Sequence, residues 1–473
     1  MRGFSEKQWQ GIRGSRIGFV LQDALASLDS LRHVGDEIGE PLRLHTDLKK
    51  AEREQRVIEL LREVGVPEPE IRARQYPYEL SGGLRQRALI ASAIAASPSF
   101  LIADEPTTAL DATVAAQILR LLEKLKADAG AMLMVSHDLS VVSHIADRIA
   151  VMNRGEIVEY GTTEQVLFDP QHEYTKQLLA AIPSQASRGS RLSDTPPLAR
   201  TASRKPSVLE TRAGADAPLI QATGLTKVYK GPDGHPRTVL NDVSFSLGRG
   251  ETLGIVGESG SGKTTAARIV LGAEKQTSGS VLLGGVDVAT LSGRRRRELW
   301  RGVQAVHQDP LGSFDPRYTV RRVIGEALGV AGLARSAQAA RSRELLDLVR
   351  LPADTLDRRP LELSGGQRQR IAIARALAVD PAVIIADEAV SALDVSVQAQ
   401  ILDLLDDVQQ AAGVALLFIS HDLGVIHHIA DRVIVMKDGS VVEQGDVEQV
   451  FTTPAEQYTR SLLDAIPHIS ARV

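Results

Sequence analysis

Two kinds of apolar pattern alternate along this chain. Short unbroken runs read as buried strands, among them Glu251–Gly257 (ETLGIVG) and Pro381–Ala389 (PAVIIADEA). The second run ends in two adjacent carboxylates, Asp387 and Glu388. Other stretches carry apolar residues at helical spacing, as in Arg53–Gly65 (REQRVIELLREVG). On this pattern residues 24–79 and 310–362 are predicted to be largely helical. Thr264–Gly272 (TTAARIVLG) reads as a helix that follows strand 251–257 after a glycine-rich turn.

Most of the pattern occurs twice. Tyr78–Asp111 matches Leu361–Asp394, Val135–Gly161 matches Ile419–Gly445, Glu173–Pro183 matches Gln457–Pro467, and Val20–Asp29 matches Val306–Asp315. Between the halves, Ser184–Pro218 is rich in Ser, Pro, Arg and Ala, lacks a hydrophobic period, and reads as a flexible, solvated linker. The expected division is an N-terminal domain 1–183, a linker 184–218 and a C-terminal domain 219–473. The stretch Gly254–Thr265 (GIVGESGSGKTT) has no twin in the first half. The repeat offset projects that twin to roughly 23 residues before Met1. The expectation is an upstream start or a clipped record, with a loop that is truly missing as the alternative.

Composition narrows the reading. A 473-residue chain with 43% hydrophobic and 24% charged residues fits several globular domains. A net charge of −4 gives no general pull toward nucleic acid, and the absence of cysteine excludes disulfides and cysteine-held metal centres. No apolar run reaches the length of a membrane span, so a membrane role is expected to act through partners. Arg294–Arg297 (RRRR) lacks interleaved aromatics and reads as a solvated helix face.

The chemistry concentrates in the second half. Gly257–Thr264 has the form G-x-x-x-x-G-K-T between a strand and a helix, the context a phosphate-binding loop requires. Glycines let backbone N–H groups turn toward a phosphate, and the helix N-terminus adds partial positive charge. Lys263 is placed to neutralise the β- and γ-phosphates of a nucleotide and Thr264 to ligate Mg²⁺. Asp387 is placed to hold the ion, and Glu388 to orient or deprotonate an attacking water.

These motifs, with the signature Leu363–Gln367 (LSGGQ) and its counterpart Leu80–Leu84 (LSGGL), resemble ABC-transporter ATPases in tandem form. Within that family, QDALASLD, QDPLGSFDPRYTV, YPYELSGGLRQR, DEAVSALDVSVQAQ and the paired Tyr-Thr…Ala-Ile-Pro tails resemble the ATPases of dipeptide and oligopeptide importers. The resemblance implies two α/β ABC ATPase domains with mainly parallel sheets, each with a helical subdomain and a short β subdomain. By the same resemblance the first lacks its phosphate-loop region and with it a central strand of the family's sheet, so that the first half as written is expected to fold poorly. It implies an ATP- and Mg²⁺-dependent ATPase at the cytoplasmic face of the membrane. Its partners would be two permease subunits and, indirectly, an external solute-binding protein, with no nucleic acid. Relatives importing nickel or glutathione leave the solute open, and soluble tandem ATPases of ribosomes or DNA, or an impaired ATP-binding fragment, are the rival readings.

Residue by residue, the resemblance implies nucleotide contacts from Gly257, Ser259, Gly260, Gly262, Lys263, Thr264 and Thr265, with Tyr229 stacking on adenine. It implies Mg²⁺ ligation by Thr264, Gln308 and Asp387, and catalytic roles for Glu388, His421 and Gln308. The two halves are expected to pair, so that Ser81, Gly82, Gly83 and Asp111 of the first half complete the second half's site. Leu84 in place of the signature glutamine is expected to be tolerated. The twin set Gln22, Asp104, Glu105 and His137 would serve the other site, with Ser364–Gly366.

Overall fold

A computed structural model describes residues 3–465 apart from 109, 185–186, 199–206, 215–216, 232–233 and 392. The chain divides into two compact units, one built on residues up to Lys176 and the other on Gln177–Asp464.

In the first unit, strands β1 (Ile17–Val20), β2 (Phe100–Asp104) and β3 (Met132–Val135) form a parallel sheet in that order. A separate antiparallel hairpin joins β4 (Arg148–Asn153) to β5 (Glu156–Thr162). The segment predicted to be helical contains helices Val34–His45 and Lys50–Glu63. They pack with the helix Gly82–Ile94 around Ile38, Leu42, Leu60, Leu61 and Ile90, all buried.

The second unit carries a four-stranded antiparallel sheet, β10-β9-β6-β7, and a six-stranded sheet, β11-β12-β13-β8-β14-β15. The antiparallel sheet consists of β6 (Ile220–Lys230), β7 (Pro236–Leu247), β9 (Ser278–Leu283) and β10 (Val286–Asp287), which flank the glycine-rich loop in sequence. The larger sheet consists of β8 (Thr252–Val256), β11 (Val303–His307), β12 (Val383–Asp387), β13 (Ala415–Ile419), β14 (Arg432–Lys437) and β15 (Ser440–Asp446). All its pairings are parallel except β14 with β15. β8 and β13 are buried at every position, as expected for strands covered on both faces.

β8 lies between β13 and β14, pairing with both. In the first unit, the repeat makes β3 and β4 the counterparts of β13 and β14, and among the described residues no strand joins them. The consequence is visible in burial. β13 is fully buried, whereas in β3 Leu133 and Val135 are 51% and 47% exposed. Met436 in β14 is fully buried, whereas Met152 in β4 is 60% exposed.

The described parts of the stretch read as a solvated linker depart from that expectation. Leu192 is buried, and the backbone N–H groups of Leu192 and Ser193 donate to the buried Asp403 at 3.1 and 3.0 Å. The Arg191 guanidinium grips Asp407 through two hydrogen bonds of 2.8 and 3.2 Å. Arg188 donates to the carbonyls of His427 and Ala430, which end the helix Leu423–Ile429. Further on, Val208–Ala213 is a helix whose Leu209 is fully buried in the second unit's core. Buried carboxylates need partners, and the linker supplies them, Arg191 to Asp407 and the Leu192 and Ser193 N–H groups to Asp403. Arg294–Arg297 lie exposed on the helix Gly293–Arg301, as the pattern predicted.

Candidate nucleotide site

Neighbouring strands β12, β13 and β8 are parallel, so the loops after them emerge at one edge of the sheet. Open α/β sheets place ligands at this edge. β8 runs into the loop Gly257–Gly262, which opens the helix Lys263–Val270. Gly257 has φ +147°, and a Cβ there would lie 2.1 Å from the Met436 carbonyl oxygen. Gly262 has φ +98°, and its Cβ would lie 2.6 Å from Leu240. Glycine is therefore required at both positions. Ser259 and Gly260 form the exposed tip. Buried Lys263 donates from Nζ to the carbonyls of Gly257 and Glu258 at 2.7 and 2.8 Å and to Ser261 at 3.4 Å. Its charge is thus held inside the loop, where phosphate oxygens would compete for it.

Thr264, followed by Thr265 on the same helix, donates its hydroxyl to Asp387 Oδ1 at 3.3 Å. Burial, and then the neighbouring Glu388 charge, push the Asp387 carboxyl above its usual range. Such a group gains from a cation close by. Among the described residues no cluster of three or more His, Asp or Glu side chains is arranged for a metal. One carboxylate and one hydroxyl nonetheless suit Mg²⁺, which takes few protein oxygens and completes its shell with phosphates and water. Thr264 and Asp387 fit that ion.

Glu388 has φ +51°, a left-handed conformation that costs a non-glycine residue on the order of 1–3 kcal/mol. The backbone around it imposes that turn. Its N–H donates to the Ile419 carbonyl at 2.9 Å, and its carbonyl accepts the Ser391 hydroxyl at 3.1 Å. The His421 ring, 3.5 Å away, holds the Glu388 carboxyl below its usual range. Burial is the largest influence on His421 and acts downward, but Glu388 and Asp422 outweigh it and the imidazole is raised. The pair therefore favours a carboxylate beside an imidazolium. Gln308 donates to the Ser391 hydroxyl at 3.1 Å and so connects to the Glu388 backbone.

The sheet edge thus brings together Lys263, Thr264, Asp387, Glu388 and His421, with Gln308 attached through Ser391. Tyr229 lies near the end of β6, 38% exposed, with Lys227 Nζ 4.7 Å from its ring centre. Ser81, Gly82, Gly83 and Asp111 belong to the first unit. There, Ser81 precedes the helix Gly82–Ile94 and makes no side-chain capping bond, whereas Ser364 is engaged with Gln367 in a capping box. In that box the Ser364 hydroxyl accepts the Gln367 backbone N–H at 3.3 Å and the Gln367 side chain accepts the Ser364 N–H at 3.0 Å; Leu84 has no side-chain acceptor, so the reciprocal half of the box is lost. A Cβ on Gly83 would lie 2.5 Å from Val114, so close helix packing excludes any larger residue. Asp111 caps the helix Ala112–Ala129 through the Val114 N–H at 3.0 Å.

The first unit also assembles the twin catalytic cluster. Glu105, at φ +45°, accepts the Gln22 amide at 2.6 Å, the Thr108 hydroxyl at 3.0 Å, and lies 2.8 Å from His137 Nδ1. Asp104 precedes it at the end of β2. Sequence reasoning missed Ser391 and Tyr458. The latter accepts the Glu258 N–H at 3.3 Å, a bond to backbone that no residue pattern announces.

Residues 4–108 and 240–391 match the family model described as ABC transporter. Residues 158–207 and 442–472 match the oligopeptide/dipeptide transporter C-terminal region. The chain is similar to the glutathione import ATP-binding protein GsiA of Salmonella typhi, 43% identical over 98% of this chain and 76% of that protein. The GsiA protein of Escherichia coli O157:H7 is 43% identical over the same shares. Among solved structures, cbiO1 from Clostridium perfringens, part of the ABC transporter complex cbiONQ, matches at TM-score 0.45 and 28% identity. That match covers 50% of this chain and 91% of cbiO1.

Proposed function

Because this chain belongs to the ABC transporter family, as an ATP-binding protein of the oligopeptide and glutathione importer type, we propose that its solute is a small peptide of glutathione's class. The chain is an ATPase that powers peptide import. The observation that carries the reading is the convergence of Lys263, Thr264, Asp387, Glu388 and His421 at the ends of three adjacent strands.

In this proposal the loop Gly257–Thr264, with Thr265, takes the phosphates of ATP, and Thr264, Asp387 and Gln308 hold Mg²⁺. Glu388 orients and deprotonates the attacking water, while His421 keeps Glu388 ionised and in place. Tyr229 stacks on the base. Residues 1–183 and 219–473 act as two fused cassettes, and Ser81, Gly82, Gly83 and Asp111 complete the surroundings of the nucleotide. The unengaged Ser81 hydroxyl and the open helix start at Gly82 support that role. Two permease subunits receive the work at the cytoplasmic face of the membrane, and an external binding protein delivers the solute. No helix among the described residues is long and apolar enough to cross a membrane.

Uptake of labelled glutathione and of a labelled dipeptide by cells lacking this gene tests the reading. The chain is expected to restore uptake of at least one, and Lys263→Ala to restore neither. Uptake that is independent of the chain, or fully restored by Lys263→Ala, would overturn it.

A further inference from the structure

The tail of the second unit reaches the glycine-rich loop from a direction the nucleotide motifs do not mark. Tyr458 accepts the backbone N–H of Glu258, the residue immediately after Gly257, at 3.3 Å. Lys437, the last residue of β14, lies over the Tyr458 ring with Nζ 4.7 Å from its centre. The preceding residue, Met436, presents the carbonyl that leaves no room for a Cβ on Gly257. Met436, Lys437 and Tyr458 thus form a floor beneath the first peptide units of the loop.

The helix that bears Tyr458, Gln457–Asp464, is anchored independently of the loop. Its Thr459 and Leu462 are buried. The N–H groups of Ala455 and Glu456, just before it, donate to the Glu443 carboxylate in β15 at 2.7 and 3.2 Å. The tail is therefore a fixed support rather than a passenger of the loop.

The repeat supplies an internal contrast. Tyr174 opens the matching tail helix, Glu173–Ala180. Its anchor is the same, since the N–H groups of Gln171 and His172 donate to Glu159 in β5 at 2.7 and 3.2 Å. Among the described residues, the first unit has no glycine-rich phosphate loop for Tyr174 to hold. One chain thus carries the same device twice, once beside the loop and once without it.

We propose that Tyr458 is a positioning residue of the ATP site. Its hydroxyl fixes the Glu258 peptide, so that the N–H groups beyond it and Lys263 face the phosphates before nucleotide arrives. A loop with Gly257, Gly260 and Gly262 at positive φ has much backbone freedom to lose on binding, and a tether at one end reduces that loss. The effect belongs to nucleotide affinity rather than to the chemical step.

The inference rests on the reading of Gly257–Thr264 as the nucleotide loop, and the two are separable. In the full chain, Tyr458→Phe keeps the ring and its Lys437 contact and removes the hydroxyl. We expect KM for MgATP to rise about 3- to 10-fold, the scale of one lost neutral hydrogen bond, with kcat within 2-fold of wild type. Tyr174→Phe should change neither. Lys263→Ala should abolish ATP binding. If Lys263→Ala binds ATP normally, the loop reading fails. If it does not, but Tyr458→Phe keeps the wild-type KM, the Tyr458 inference alone fails. Hydrogen exchange in the wild-type full chain provides a check that needs no variant. The Glu258 amide should exchange more slowly than those of Ser259 and Gly260, and equal rates would contradict the tether.

Discussion

Glu388 and His421 form a pair whose charges depend on each other, and pH separates their contributions. The folded His421 titrates above its ordinary value near 6.5, so its stabilisation is complete below that value and fades as pH rises through the raised one. The folded Glu388 titrates below its ordinary 4.5, so its stabilisation is complete above that value and fades as pH falls through the lowered one. Both shares are full between about pH 4.5 and 6.5. The melting-temperature difference between wild type and His421→Asn should peak in that window and shrink toward pH 8. A difference that is flat with pH would contradict the coupling. At this scale the sequence was informative where a residue type has one chemistry at one spacing. Lys263, Thr264, Asp387 and Glu388 were legible in this way and His421 only through the family resemblance, and the five meet at one edge. Tyr458 and Ser391 were not, because each acts through the backbone of a site residue. A tyrosine or serine in a polar stretch gives no sign of which main-chain group it will meet.

Among the elements, strands and helices of the repeat followed their apolar periods closely, whereas the stretch between the halves did not follow its composition. Serine, proline and arginine predict solvation when their partners are unknown. Here the partners lie more than 200 residues away, in the helix Val395–Ala412, whose Asp403 and Asp407 are 3% and 5% exposed. The apolar period of that helix gave no reason to look for buried acids. Arg350 also reaches Asp407 at 2.7 Å, so that carboxylate is held from two sides. Asp403 instead depends on the linker, accepting two N–H groups and the Ser193 hydroxyl. Asp403→Ala is expected to cost about 1.5–3 kcal/mol, the range for hydrogen bonds to a charged group. Proteolysis between residues 188 and 198 should accelerate with it. Denaturant melts and digestion rates matching wild type would show that the segment is a free tether after all.

For the molecule as a whole, the two units differ in what fills the sheet between their homologous strands. In the second, β8 completes the sheet and delivers the loop that ends in Lys263. In the first, β3 and β4 are not joined by a described strand, and Leu133, Val135 and Met152 remain exposed. Residues 1–183 made alone are expected to melt without cooperativity and to aggregate, while residues 219–473 should show a cooperative transition. A sharp, reversible melt of 1–183 would contradict that expectation. This contrast was legible early, because the repeat showed which stretch had no twin. The account as a whole depends on Glu388 acting as the base for water at a nucleotide held by Lys263. Steady-state ATP hydrolysis by the full chain carrying Glu388→Gln tests it most directly, read together with MgATP affinity. Turnover should fall by about 10²-fold or more while MgATP binds within a few-fold of wild type. Turnover that stays within a few-fold of wild type would contradict the account.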